Sequence, residues 1–242
     1  MGVNGDGVGE FDAALELLWG VTKVKSRGPK PAHALDDVLD AAIRVADAEG
    51  LGAVSMQRLA QELGFTKMAV YRYVPGRSEL VALMTDRALG APPARFEGRS
   101  WRQRMEAWAL AVYAVFLAHP WGLEATTGRR VVGPREVAWA EAGLAILADT
   151  GLNGPSSLDV LGVIVEHLRS AAQQVAGTGP TIGLEGELNA LMSQALRNRA
   201  LEFPHYDMAI REAAAGGEDQ GLSFGLHCIL DGVEWQLSKR PC

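Results

Sequence analysis

The sequence predicts an all-α protein built from a small N-terminal helical domain and a larger helical C-terminal domain. Three observations carry that prediction. Apolar residues recur at helical spacing along most of the 242 residues, no alternating run reaches a useful strand length, and clusters of Gly and Pro separate the periodic segments. No internal repeat is visible.

The elements follow in order. Ala34 to Gly50 places Leu35, Val38, Leu39, Ala42, Ile43 and Ala46 on one helical face with acids opposite, and Gly50 and Gly52 end it. Ser55 then stands as an N-cap before the run MQRLAQELGFTKMAVYRYVP, Met56 to Pro75. Within it Ala60 falls where two helices press closest, Gly64 four residues on takes a φ > 0 turn at little steric cost, and Val70 faces back to close the pair. Leu59, Leu63, Phe65 and Tyr73 supply further apolar positions, so this is a helix-turn-helix. Thr66 caps its second helix, Pro75-Gly76 stops it, and a further helix runs from about Ser78 to Leu89 with Leu80, Leu83 and Met84 inward. GAPPARFEG, residues 90–98, breaks the periodicity and marks a domain boundary. Beyond it helices are expected over Trp101 to His119, Pro134 to Thr150, Ser156 to Ala176, Leu184 to Leu201 and Gly221 to Lys239. The expected organisation is an N-terminal extension and basic arm (1–33), a helix-turn-helix domain (34–90) and a ligand-binding and dimerisation domain (91–242).

Composition excludes several classes. No uncharged apolar run reaches the roughly 20 residues of a membrane span, and the first 22 residues hold four acids and no Lys or Arg, unlike a secretory signal. A cytoplasmic protein without membrane attachment is expected. Two cysteines, Cys228 and Cys242, are too few for a disulfide framework or a metal site, and both are expected as free thiols. The net charge of -6 is unevenly spread: residues 23–34 carry Lys23, Lys25, Arg27 and Lys30 and no acid. A locally positive arm before a helix-turn-helix suits phosphate neutralisation, and the acidic remainder limits indiscriminate sticking to DNA.

The residues AEGL, SMQRLAQELGFTKMAVYRYV and RSELVALMTDRAL resemble the N-terminal domain of the tetracycline-repressor (TetR) family of bacterial transcription regulators. The RGPKP arm, the LLWG before it and PREVAWAEAGLAILADTGL are similar to segments of one branch of that family. The resemblance implies an all-helical homodimer whose N-terminal domains bind a palindromic double-stranded operator, while the C-terminal domain binds a small-molecule effector and carries the dimer interface. Arg77 stands where many relatives have lysine and Tyr73 where many have histidine; both keep a donor for phosphate. The long N-terminal extension departs from the shortest members.

On the DNA-facing side, Lys67, Tyr71, Tyr73 and Arg77 are candidate phosphate contacts, with Thr66 at the helix N-terminus and Ser55 at the start of the supporting helix. Base reading falls to Lys67, Met68 and Arg72 with Gln57 and Arg58; Met68 suits a thymine methyl and Lys67 guanine O6 or N7. Arg27 and Lys30 lie in an arm kept extended by proline, suited to a phosphate backbone or a minor groove, or else a solvated linker.

In the C-terminal domain, Trp108, Trp121 and Trp139, with the polar His119, Glu141, His167 and Gln173, are candidates for a ligand cavity, against the plainer reading of satisfied core or surface positions. Glu166 and His167 are adjacent on a helix and share no face, and no nucleophile elbow, phosphate-binding glycine loop or zinc spacing accompanies them, so neither enzyme, metal nor cofactor is expected. Leu161, Val165 and Leu168 with Leu226, Ile229 and Val233 are expected in a four-helix dimer interface, the alternative being that these helices fill the monomer core. The expected function is a repressor released by a small, largely apolar effector. An activator or constitutive DNA-binding factor, or an enzyme or ligand-binding protein with a disused helix-turn-helix, are the alternatives.

Overall fold

A computed structural model describes residues 9–20, 35–176, 184–197, 199–215 and 221–239. The basic arm with Arg27 and Lys30, and Cys242, lie outside them. The described residues hold twelve α-helices and two short 3-10 turns and no strand. They divide into two compact units, Met1–Glu97 with Ala118–Leu147 and Gly98–Leu117 with Ala148–Cys242. The first cut, between Glu97 and Gly98, falls in the Gly/Pro-containing segment 90–98, and Ala118–Leu147 joins the N-terminal helices in the first unit.

The first unit contains α1 (Gly9–Trp19), α2 (Leu35–Glu49), α3 (Met56–Leu63), α4 (Lys67–Tyr71), α5 (Arg77–Leu89), α7 (Trp121–Ala125) and α8 (Pro134–Leu147). Asp36 and Asp37 sit in the first turn of α2, where the helix dipole favours acids. Its apolar stripe of Val38, Leu39, Val45 and Ala46 is buried in one cluster with Leu59, Val70, Leu80, Met84 and Trp121. Full burial of each such aliphatic side chain contributes roughly 1.5–3 kcal/mol. Arg87 of α5 ties the two long helices at the rim through both oxygens of Asp40 and one of Asp36, and it holds the Asp40 carboxyl below its ordinary value.

The helix α1 was not expected from the sequence. Ala14 is buried, Leu17 and Leu18 pack against the core, and the Trp19 indole N–H donates to Val132 O at 3.1 Å. The segment packs on α5. Helix α8 is joined to the same α5, since Asp86 accepts the backbone N–H of Arg135 at 2.9 Å and so caps α8. Gly133 leaves room for that carboxylate, which a Cβ would overlap. Burial pushes the Asp86 carboxyl up.

The second unit contains α6 (Trp101–Ala118), α9 (Gly154–Ala176), α10 (Leu184–Leu196), α11 (Pro204–Ala215) and α12 (Gly221–Ser238). Met105, Trp108, Ile164, Leu168 and Leu230 are its most buried side chains. Helices α9 and α12 pair, with His167 Nε2 2.9 Å from Leu222 O. Arg102 of α6 reaches Asp231 and Glu234 of α12 at 2.7 and 3.2 Å. Helix α10 ends at Leu196 rather than Leu201, and α11 and the short α7 are further additions to the expected set.

Candidate nucleic-acid interface

The turn between α3 and α4 is closed by its backbone. Gly64 adopts φ 68° and ψ 30°, Phe65 N–H donates to Ala60 O at 2.7 Å and Gly64 N–H to Gln61 O at 3.4 Å. This paired closure is the Schellman arrangement, and a left-handed residue at its centre favours glycine. Ser55 Oγ accepts from Arg58 N at 3.1 Å, and Thr66 Oγ1 accepts from Ala69 N at 3.3 Å, so both expected N-caps are formed. Ala60 and Val70 are buried where the helices meet. Helix α4 itself ends at Tyr71, earlier than the sequence pattern suggests, and Tyr73 and Val74 continue as a turn bonded back to Val70 O.

This leaves one polar face. Gln57, Thr66, Lys67, Met68, Tyr71 and Arg72 are all exposed, Met68 at 73%. The ammonium of Lys67 lies 5.9 Å from the centre of the Tyr71 ring, one turn along, a cation–π contact that draws the two side chains together. Neither Lys67 nor Arg72 has a carboxylate partner among the described residues. Their charge is therefore available to a polyanion.

Other expected contacts are used within the protein. The Arg58 guanidinium is held by Glu49 at 2.7 Å and Glu62 at 2.9 Å, which lowers the Glu49 carboxyl's pKa and strengthens the arginine's hold on its proton. Reading a base with Arg58 would require those bonds to break. Arg77 donates to Val54 O at 3.1 Å and Leu51 O at 3.0 Å, fixing the 3-10 turn Leu51–Ala53 that leads into α3. Two nitrogens of its fork thus staple the reading head, and the other terminal nitrogen takes no part in these bonds. Tyr73 is half-buried against the core.

The expected cavity residues divide between the two units. His119 and Trp121 both bond Asp47 Oδ1 of α2, at 2.8 and 2.6 Å, and their rings lie 5.9 Å apart. Trp139 is buried, donates to Leu89 O and Gly90 O at 3.2 Å each, and packs on Phe96. These three are satisfied structural side chains of the first unit, where Glu141 is exposed. Trp108, His167 and Gln173 belong to the second unit, with Trp108 in its core, His167 bonded to α12 and Gln173 exposed. No cluster of His, Cys, Asp and Glu fit to hold a metal occurs among the described residues.

The residues expected at a dimer interface divide by burial within one chain. Leu161, Leu168, Leu226 and Val233 are buried within the protomer, because α9 and α12 spend that stripe on their own contact. Val165 and Ile229 are half-buried. The large apolar side chains left outward on these two helices include Leu158 (58% exposed), Val163 (55%), Phe224 (71%) and Trp235 (55%).

Comparison with known proteins places these features. Residues 38–84 match the family model described as bacterial regulatory proteins, tetR family, and residues 93–237 the one described as tetracyclin repressor-like, C-terminal domain. The chain is 35% identical over 242 residues to the HTH-type transcriptional repressor DrrR1 of Streptomyces coeruleorubidus, covering 97% of this chain and 89% of that protein. It is 25% identical to tetracycline repressor protein class E of Escherichia coli over 211 residues, covering 85% and 93% of the two. In fold it is similar to ActR of Streptomyces coelicolor crystallised with actinorhodin, with a TM-score of 0.74 at 24% identity over 88% of this chain and 100% of that one.

Proposed function

Because the chain belongs to the tetracycline-repressor family of bacterial regulators, we propose that it is a transcriptional repressor that binds a palindromic operator as a homodimer and releases it when a small, largely apolar effector binds. The observation that carries the DNA-binding part is the exposed face of Lys67, Met68, Tyr71 and Arg72 on a rigidly capped helix-turn-helix. Lys67 and Tyr71 take phosphates, Met68 and Arg72 meet base edges, and Gln57 and the Thr66 and Ser55 hydroxyls border them. The arm with Arg27 and Lys30 adds backbone contacts. Residues 34–90 serve as the DNA-binding domain and 91–242 as the effector and dimer domain.

The repressor name of DrrR1 and the actinorhodin complex of ActR support the regulatory and effector parts. An effector acts by favouring a state whose recognition helices are wrongly spaced, so release is set by its differential affinity for the two states. The apolar stripe of Val163 and its neighbours on α9 and α12 is the face on which two protomers pair.

The test begins with selection of genomic fragments bound by the purified protein at a stated salt concentration, followed by affinities of Lys67→Ala and Tyr71→Ala for the recovered site. Lys67→Ala is expected to weaken binding and to lower the salt slope by about one. Unchanged affinity in both folded variants, or no enriched sequence, overturns the reading.

A further inference from the structure

A cavity of about 180 Å³ lies inside the first unit, between α1, α5, the end of α7 and the segment that leads into α8. Its apolar wall is formed by Ala14, Val81 and Val131, and its polar wall includes Arg77, Thr85 and Arg129. A cavity of about 150 Å³ already accepts a benzene-sized molecule. The space therefore suits one ring with a substituent.

Thr85 is only 7% exposed, and its Oγ1 is a buried polar atom with no hydrogen-bond partner among the described residues. A buried hydroxyl left unmade costs about 1–3 kcal/mol in general, so an orphan of this kind points to something that bonds it.

The charges in the lining set the chemistry of the occupant. The two carboxylates are committed, since Asp86 accepts from Arg135 N and Glu136 takes both its oxygens to Arg130 at 2.6 Å. The donors are less committed. Arg129 is exposed and has no partner among the described residues, and Arg77 uses its Nε and one terminal nitrogen on Val54 O and Leu51 O. A wall with spare donors and spent acceptors complements an anion rich in acceptors.

From this geometry we propose that the cavity is a binding site for a compact organic monocarboxylate of single-ring size. The ring lies against Ala14, Val81 and Val131, and the carboxylate meets Arg129 and the Thr85 hydroxyl. The proposal does not depend on the repressor reading, and its test uses no DNA.

The full chain is titrated with benzoate by calorimetry, with benzylamine as the size-matched cation. Thr85→Val keeps the side-chain shape without the hydroxyl, and Arg129→Ala removes an exposed guanidinium; circular dichroism establishes that each is folded. One benzoate per chain is expected, with a dissociation constant on the order of 0.1–1 mM. Each variant and the benzylamine control should be weaker by about tenfold, one well-made charge-assisted contact. If Thr85→Val does not fold, Arg129→Ala decides the question. No benzoate binding to the folded wild type overturns the proposal. So does binding indifferent to the substitutions, benzylamine bound as well as benzoate, or a cocrystal with only ordered water in the cavity.

Discussion

Trp121 is buried in the first core, and its indole N–H donates to Asp47 Oδ1, an oxygen that His119 Nδ1 also approaches. Its ring supplies packing while its edge satisfies a carboxylate on α2. Trp121→Phe keeps most of the packing and leaves that carboxylate short of one bond. The expected loss is about 2 kcal/mol of unfolding free energy, read from urea denaturation with unchanged slope. A loss within experimental error would mean the hydrogen bond carries no stability. At this scale the sequence was informative about residue type and poor about partners. It displayed an aromatic and a histidine in an apolar setting, which read as a ligand cavity, but the acceptor is Asp47, more than seventy positions earlier. The same limit applied to Arg58 and Arg77. Both are cations beside a DNA-facing helix, yet only the fold brings Glu49, Glu62 and the Leu51 and Val54 carbonyls within reach.

Elements whose signals are local were legible, and α3 with α4 is the clearest case. Ser55, Gly64 and Thr66 each act within a few residues of their own position, and each forms the contact its type favours. Gly64→Ala should test this. At φ 68° an added Cβ costs about 1–2 kcal/mol, although it would meet no neighbouring atom within 4 Å. The strain would fall on the angle between α3 and α4, so operator affinity should drop more than global stability alone predicts. A variant with wild-type unfolding midpoint and wild-type operator affinity would show that the turn tolerates another conformation. Elements stabilised by tertiary packing were not legible. Helix α1 sits within the first 22 residues, which hold no Lys or Arg, and depends on α5 and on Val132 O for its place. Helix α7 has only five residues, too few for a periodic pattern. Helix α11 begins at Pro204 in a stretch of mixed polarity that gave no clear stripe.

For the whole molecule the question is which apolar surface belongs to one chain and which to two. Sequence periodicity marked one apolar face on each of α9 and α12, but it did not say whether that face meets its own chain or a second one. The fold answers for Leu161, Leu168, Leu226 and Val233, which are buried within the protomer, and leaves Val163 55% exposed on another stripe of α9. Two recognition helices must lie about 34–36 Å apart to read successive major grooves on one DNA face. A repressor that pairs through α9 and α12 would thus lose its operator when that stripe is spoiled, even with every DNA-facing side chain intact. Val163→Glu places a charge on it without touching the protomer core. The expected product is a folded monomer in sedimentation velocity, with operator affinity reduced by at least about 100-fold because each half-site must then be bound alone. Leu161→Glu at the buried neighbour should instead unfold the second unit, since an unpaired charge would enter the core. A Val163→Glu protein that remains dimeric and binds the operator as before would place the interface elsewhere on the chain.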